Sequence, residues 1–115
     1  MEIFNLRERI FAFVQSIFQL IKVLPTNRIN NILIHQMVRS ATSIGANYEE
    51  ADGTPTKKDF SYKMSLVKKE AKETKYWLQL IQMNNPKTVQ TKIQELMNEN
   101  EELVRIFATI IIKSS

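Results

Sequence analysis

The feature that most constrains the fold is a shortage of residues that turn a chain. The 115 residues include only two glycines and three prolines, so few sharp turns are available and the elements between them must be long. Residues that lose little freedom in a helix, such as Ala, Leu, Glu, Lys, Gln and Met, are plentiful. The sequence therefore predicts long helices within a single domain over residues 1–115.

Four segments carry apolar residues at helical spacing, and turn signals separate them. Pro25, Asp52–Pro55 and Asn84–Pro86 supply those signals, while Asn5 and Thr56 are candidate helix caps. The predicted helices span about residues 5–24, 27–51, 57–83 and 86–112. Four helices of this length joined by short turns favour an all-α, up-down-up-down antiparallel four-helix bundle.

Several positions carry expectations of their own. Pro86 is expected at the first position of the fourth helix with Asn85 as its cap, and Lys113–Ser115 as a loose tail. Gly45 inside the second helix costs about 1 kcal/mol relative to Ala. A close crossing with another helix is one reason for a glycine at this position. Asn100 falls within the apolar stripe of the fourth helix, where a lone polar residue often fixes register.

The composition argues against several classes of protein. Cysteine is absent, so no disulfide or thiolate metal site can form, which fits a reducing, cytoplasmic location. We expect no signal peptide and no membrane association, because the longest apolar run, residues 106–112, is shorter than the roughly 20 residues that cross a bilayer. His35 is the single histidine, and no phosphate loop or nucleophile elbow is present. We therefore expect no enzyme activity, no metal and no cofactor.

The third helix carries apolar residues on two sides. Its second stripe, away from the core stripe, comprises Tyr62, Leu66, Tyr76, Trp77 and Leu80. Scattered apolar side chains on a surface are normal, whereas large aromatic residues that form one outer patch are typical of protein interfaces. Because these groups recur at helical spacing, we favour the interpretation that the chain forms a homo-oligomer.

The net charge of +4 is distributed in stripes. The basic stripes comprise one flank of the third helix and the polar side of the second: Lys57, Lys68, Lys72 and Lys75, with Arg28, His35 and Arg39. An acidic stripe on the fourth helix comprises Glu95, Glu99 and Glu102. These are either solvated faces that complement one another or a basic surface that an oligomer multiplies to gather phosphates. From the residues alone, solvated faces are the better interpretation.

Two stretches of the sequence resemble one known family: residues 39–51, RSATSIGANYEEA, and residues 57–81, which include KKEAKETKYWLQLI at 68–81. They resemble the four-helix-bundle proteins first found encoded within intervening sequences of bacterial 23S rRNA genes. The matching positions are Arg39, Ser43, Ile44, Asn47 and Glu50 in the second helix, and Glu70, Ala71, Glu73, Tyr76, Trp77 and Leu78 in the third. The polar and charged members at 39, 43, 47, 50, 70 and 73 are interpreted as structural, although Asn47 and Glu50 could also form a functional pair.

The resemblance implies a fold and an oligomeric state, but no reaction. Related bundles associate as cyclic homopentamers. The accessory proteins of diversity-generating retroelements share the fold and use a basic oligomeric surface to engage nucleic acid and a reverse transcriptase. The resemblance therefore implies a non-catalytic oligomeric adaptor that binds RNA or DNA through phosphates. The alternative is a protein–protein interaction scaffold with no physiological nucleic-acid ligand.

Overall fold

The computed structural model describes residues 5–115, so the first four residues of the predicted domain lie outside the described residues. The described part of the chain is helical, with no strand. It comprises α1 (Leu6–Val23), α2 (Arg28–Asp52), α3 (Lys57–Met83), a 3-10 turn (Lys87–Val89) and α4 (Gln90–Ser114). The four predicted segments are therefore all helices.

The starts of the first three helices follow the capping chemistry of their sequences. Asn5, Asn27 and Thr56 each accept a hydrogen bond on the side-chain oxygen from the backbone N–H three residues further along. Such caps satisfy one of the amide groups that have no partner within the first turn. Leu24 ends α1 in an extended conformation, as expected of a residue that precedes proline.

Each helix packs against two neighbours, α1 and α3 both lying between α2 and α4. The connections are short, so successive helices run in opposite directions, and the body measures 45 × 29 × 18 Å. Its core is apolar, with Phe13, Met37, Leu78 and Phe107 among the fully buried side chains. This arrangement confirms the up-down-up-down four-helix bundle.

Polar contacts in the interior tie the helices together. The Asn100 side chain is fully buried, and its Nδ2 donates to the Ala71 carbonyl oxygen at 2.9 Å, which joins α4 to α3. The hydroxyls of Ser40 and Thr74 lie 2.7 Å apart between α2 and α3. Because buried polar groups are costly without partners, these pairs set the register of the packed helices.

At one end of the bundle, two side-chain amides join the first turn of α2 to the α3–α4 turn. Asn30 Nδ2 donates to Asn85 Oδ1 at 2.8 Å, and Asn85 Nδ2 donates back to Asn30 Oδ1 at 2.9 Å. Asn85 was expected to cap the fourth helix, which is wrong. Pro86 precedes a 3-10 turn, and α4 begins only at Gln90, because the Asn85 side chain is used in the cross-bundle pair.

Other local expectations also differ from the structure. The C-terminal residues were expected to be a loose tail, but α4 continues to Ser114. A methyl group added at Gly45 would lie 3.6 Å from Ile10 Cγ2, an ordinary van der Waals contact, so the helix crossing does not require a glycine there. Thr74 and Leu103 are also fully buried.

Candidate nucleic-acid interface

The positive charge of the protein is concentrated in α3. This helix contains seven lysines and three carboxylates, an excess of four that equals the net charge of the whole chain. The remaining basic and acidic residues of the sequence therefore cancel. A cluster of basic residues along one helix is the electrostatic pattern expected of a surface that binds phosphates.

Two of the three α3 carboxylates, Glu70 and Glu73, lie on the flank that faces α2. There the Arg39 guanidinium of α2 forms ion pairs with both of them. The Trp77 indole N–H donates to Glu73 Oε2 at 3.0 Å. Most of the negative charge of α3 is thus turned towards α2 and partly offset by Arg39 in the contact between these two helices.

The flank of α3 that faces α4 keeps its positive charge. Lys75 Nζ lies 3.1 Å from Glu101 Oε2 of α4, which identifies the flank. Lys68 and Lys72 share it by helical spacing, and neither has a carboxylate oxygen within 4.0 Å among residues 5–115. Lys57, in the first turn of α3, continues the row for about 27 Å at 1.5 Å per residue. We call Lys57, Lys68, Lys72 and Lys75 the lysine row.

The structure does not bring the predicted basic residues of α2 to this row. Arg39 contacts the opposite flank of α3, where its charge is used by two carboxylates. Arg28 and His35 are exposed on α2 itself. The two basic stripes predicted from the sequence are therefore separate within one chain, and the lysine row itself has a gap of about 16 Å between Lys57 and Lys68.

The residues of the predicted oligomer interface differ in their exposure to solvent. Tyr62 and Tyr76 are 63% and 53% exposed on the outer side of α3, whereas Leu66, Trp77 and Leu80 are half-buried. Trp77 and Leu80 pack against the core. Within the predicted second stripe, Trp77 and Leu80 therefore lie at the boundary between α2 and α3, and the two tyrosines are the part that projects furthest into solvent.

Further exposed apolar residues lie near this boundary and were missed by the sequence reasoning. Ile29, Ile32 and Met83 are 55%, 58% and 77% exposed. Ile32 lies seven residues before Arg39 and so on the side of α2 that faces α3. The antiparallel register places it level with Leu80. We call Ile29, Ile32, Leu80 and Met83 the α2/α3 apolar patch; the signal for it was an apolar i, i+3 pair outside the core stripe.

The residues of α2 that match the family pattern lie on the side of the helix that carries Arg39. Ser43 Oγ donates to the Arg39 carbonyl oxygen at 2.7 Å, and Asn47 Nδ2 donates to the Ser43 carbonyl oxygen at 2.9 Å. The Glu50 carboxylate pairs with Lys63 of α3. Asn47 thus bonds within its own helix, and Glu50 bonds across to α3.

The acidic stripe of α4 is partly neutralised by α1. Arg9 lies 2.7 Å from Glu99 and 2.9 Å from Glu102, and hydrogen bonds to Glu99 and then Glu102 raise the pKa of the guanidinium above its ordinary value. Glu95, the third member, is exposed. Arg9 of α1 therefore offsets part of the negative charge of the α4 stripe.

A groove of about 320 Å³ lies between α1 and α2. Phe11, Val14, Phe18 and Tyr48 line it, and an Arg7–Glu49 ion pair of 2.7 Å lies at its rim. Burial, followed by the charges of Asp52 and Glu49, raises the pKa of Tyr48 above 10.0. Phe11 is 53% exposed at this groove.

The described part of the chain has neither a cluster of metal-binding side chains nor a membrane-spanning helix. Residues 5–115 contain no group of three or more His, Asp or Glu side chains placed to hold a metal ion. Within the same range, none of the helices combines the length and apolar character needed to cross a membrane.

The fold and surface define a small helical-bundle protein with a basic third helix. A family model described as "23S rRNA-intervening sequence protein" matches residues 4–109, and the chain belongs to this family. Among solved structures, it is similar to a protein of unknown function of the S23 ribosomal protein family from Bacteroides thetaiotaomicron. The TM-score is 0.78 at 28% identity, over 93% of this chain and 98% of that one. No curated protein matches the sequence.

Proposed function

We propose that this protein is a non-catalytic, cytoplasmic, homo-oligomeric adaptor that binds RNA or DNA through the lysine row of α3. The observation that carries the proposal is the placement of charge. The net positive charge of the chain resides in α3, and Arg39 pairs with the two carboxylates on its other flank and offsets part of their charge. On the α4-facing flank, Lys75 pairs with Glu101, whereas Lys68 and Lys72 have no carboxylate oxygen within 4.0 Å among residues 5–115.

Self-association strengthens this proposal. Lysines that neutralise phosphates release counterions, and the affinity rises with the number of phosphates contacted. One chain offers only a few such contacts, whereas a ring repeats them around an axis. The resemblance to related bundles implies five copies. The α2/α3 apolar patch, together with the half-buried Trp77, is the surface that we propose for the contact between subunits, because exposed apolar groups of this size favour association.

Recognition through the lysine row depends on phosphate position and shape. Lysine is a flexible point charge with donors but no acceptors, and phosphate contacts carry no sequence information directly. We therefore expect binding that is strong at low salt and indifferent to base sequence.

A salt titration tests this function. Binding to RNA and DNA fragments of mixed sequence should weaken linearly with log salt, with a slope of about −0.9 per phosphate contacted on duplex DNA. The Lys68→Glu/Lys72→Glu/Lys75→Glu variant should lose most of the affinity while keeping its helical circular dichroism. A matched control, Lys22→Glu/Lys87→Glu/Lys92→Glu, changes the charge equally at exposed positions outside α3 and should retain more of it. Absence of binding at low salt would refute the proposal.

A second candidate function is a protein–protein interaction scaffold without a physiological nucleic-acid ligand. The exposure of Ile29, Ile32 and Met83 favours it, because a protein partner such as a reverse transcriptase could cover them. Light scattering with an Ile32→Ser/Met83→Ser variant distinguishes the two uses of the patch. A fall in mass assigns the patch to self-association, and an unchanged mass leaves it available to another protein.

A further inference from the structure

The outer side of α3 alternates tyrosine and lysine. Tyr62, Lys69 and Tyr76 follow one another at seven-residue spacing and are all exposed. Residues seven apart lie on almost the same side of a helix, so these three form one ridge. Lys72 lies beside it and joins the ridge to the lysine row. The two aromatic rings are separated by 14 positions, or about 21 Å along the helix axis.

One of these rings is held in place by its neighbours. The Tyr76 and Trp77 rings form an edge-to-face pair with centroids 4.9 Å apart and planes at 65°. Trp77 is fixed in turn by its hydrogen bond to Glu73, which Arg39 contacts. An exposed ring that is already oriented loses less freedom when a ligand stacks on it. The ion-pair network on the α2 flank therefore supports an aromatic surface on the outer side.

We infer that this ridge binds unpaired bases, and hence that the ligand of the proposed nucleic-acid adaptor is single-stranded. The inference rests on the proposed function. In a duplex the faces of the bases are stacked on one another, so only unpaired bases can stack on a protein side chain. Aromatic rings beside a basic track are the combination by which proteins hold single strands without sequence preference. Here Tyr62 and Tyr76 supply the rings, and Lys69 and the lysine row contact phosphates.

The same residues fit a subunit contact less well. The cores of protein interfaces are depleted in lysine, and this ridge has an exposed lysine between its two tyrosines. The α2/α3 apolar patch has no charged member and remains the proposed subunit contact. Tyr62 and Tyr76, predicted from the sequence to lie at the oligomer interface, are assigned by this argument to the ligand instead.

The experiment compares single-stranded and duplex fragments of about 12 nucleotides, a length within the range that single-strand-binding folds cover. RNA and DNA strands are both included, together with an abasic DNA strand of the same length. The wild-type protein should bind the single strands more tightly than the duplex and the abasic strand. Tyr62→Ala and Tyr76→Ala should each weaken single-strand binding by at least about fivefold, equivalent to about 1 kcal/mol for one lost base–aromatic stack.

Three controls make the result specific. The duplex affinity and the salt slope should not change in the alanine variants, because the phosphate contacts remain. Tyr62→Phe and Tyr76→Phe should keep the single-strand affinity, since the ring is retained. The mass from light scattering should equal that of the wild type, because a subunit contact would be weakened by the same substitutions.

Distinct outcomes overturn the inference and the function beneath it. Equal affinity for single strands and duplex, or single-strand binding that the alanine variants do not weaken, would overturn the inference while salt-dependent binding still supports the adaptor. A fall in mass on replacing the tyrosines would overturn it by assigning the rings to a subunit contact. Failure of the wild type to bind any fragment at low salt would overturn both.

Discussion

Removal of the Arg39 guanidinium should destabilise the fold and change the environment of Trp77. Arg39 pairs with Glu73 and lies with Nη1 3.6 Å from Glu70 Oε1, while its Nε donates to Gln36 Oε1 at 3.1 Å. The Arg39 side chain is 43% exposed and that of Glu70 only 19%. The Glu70 Oε1 atom is buried and has no hydrogen bond among the described residues, so Arg39 is the charge that compensates it.

The magnitude follows from these exposures. The Arg39–Glu73 pair is largely screened by solvent and contributes about 0.2–1 kcal/mol. Leaving the more buried Glu70 carboxylate without a compensating charge costs about 1–3 kcal/mol. We therefore expect Arg39→Ala to lower the free energy of unfolding by about 1–4 kcal/mol. Arg39→Ala/Glu70→Gln should recover part of the loss, because the uncompensated charge is removed.

Urea unfolding followed by circular dichroism measures this free energy. The fluorescence of Trp77, the only tryptophan, reports the network independently, because its N–H bonds to the carboxylate that Arg39 holds. Arg28→Ala is the matched control: it removes the same charge from an exposed position at the start of α2 and should change stability by less than about 0.5 kcal/mol.

Equal stabilities of Arg39→Ala and Arg28→Ala, with unchanged Trp77 emission, would refute the reasoning. Arg39 would then be a solvated side chain, available to phosphate as the sequence predicted. A loss of nucleic-acid affinity without a loss of stability would favour that same interpretation.

Two further predictions concern α2. Gly45→Ala should raise the free energy of unfolding, measured in urea, by about 0.5–1 kcal/mol, because alanine is the better helix former. Its methyl group fits at 3.6 Å from Ile10 Cγ2, the nearest side-chain atom. A destabilised variant would mean that α1 and α2 cross more closely at this position than the structure shows. The raised pKa of Tyr48 means that the folded state holds this proton more tightly than the unfolded state, so its contribution to stability is complete below pH 10.0 and is lost as the pH rises above it. Tyr48→Phe should therefore reduce the decline in stability that the wild type shows as the pH rises above 10.0; an unchanged decline would contradict the assignment.

Much of the fold could be predicted because helices are local structures. The spacing of apolar residues identified α1 to α4, and caps such as Asn5 and Thr56 act within one turn. Predictions were wrong where a distant partner competes for a residue. Asn85 is of a residue type that often caps helices, but its side-chain amide is hydrogen-bonded to Asn30, 55 positions away in the sequence. Thr74 is polar, yet it is buried because Ser40 satisfies its hydroxyl.

The sequence by itself determined that the chain is helical, where its turns fall and that its positive charge resides in the third helix. These properties depend on residue type and on spacing along one axis. Only the tertiary structure decided that Arg39 pairs with Glu70 and Glu73, that the lysine row faces α4, and that Tyr62 and Tyr76 project into solvent while Trp77 is half-buried. The rotation and register of one helix against another arise from packing and hydrogen bonds between residues far apart in the chain, and no spacing within a single helix contains that information.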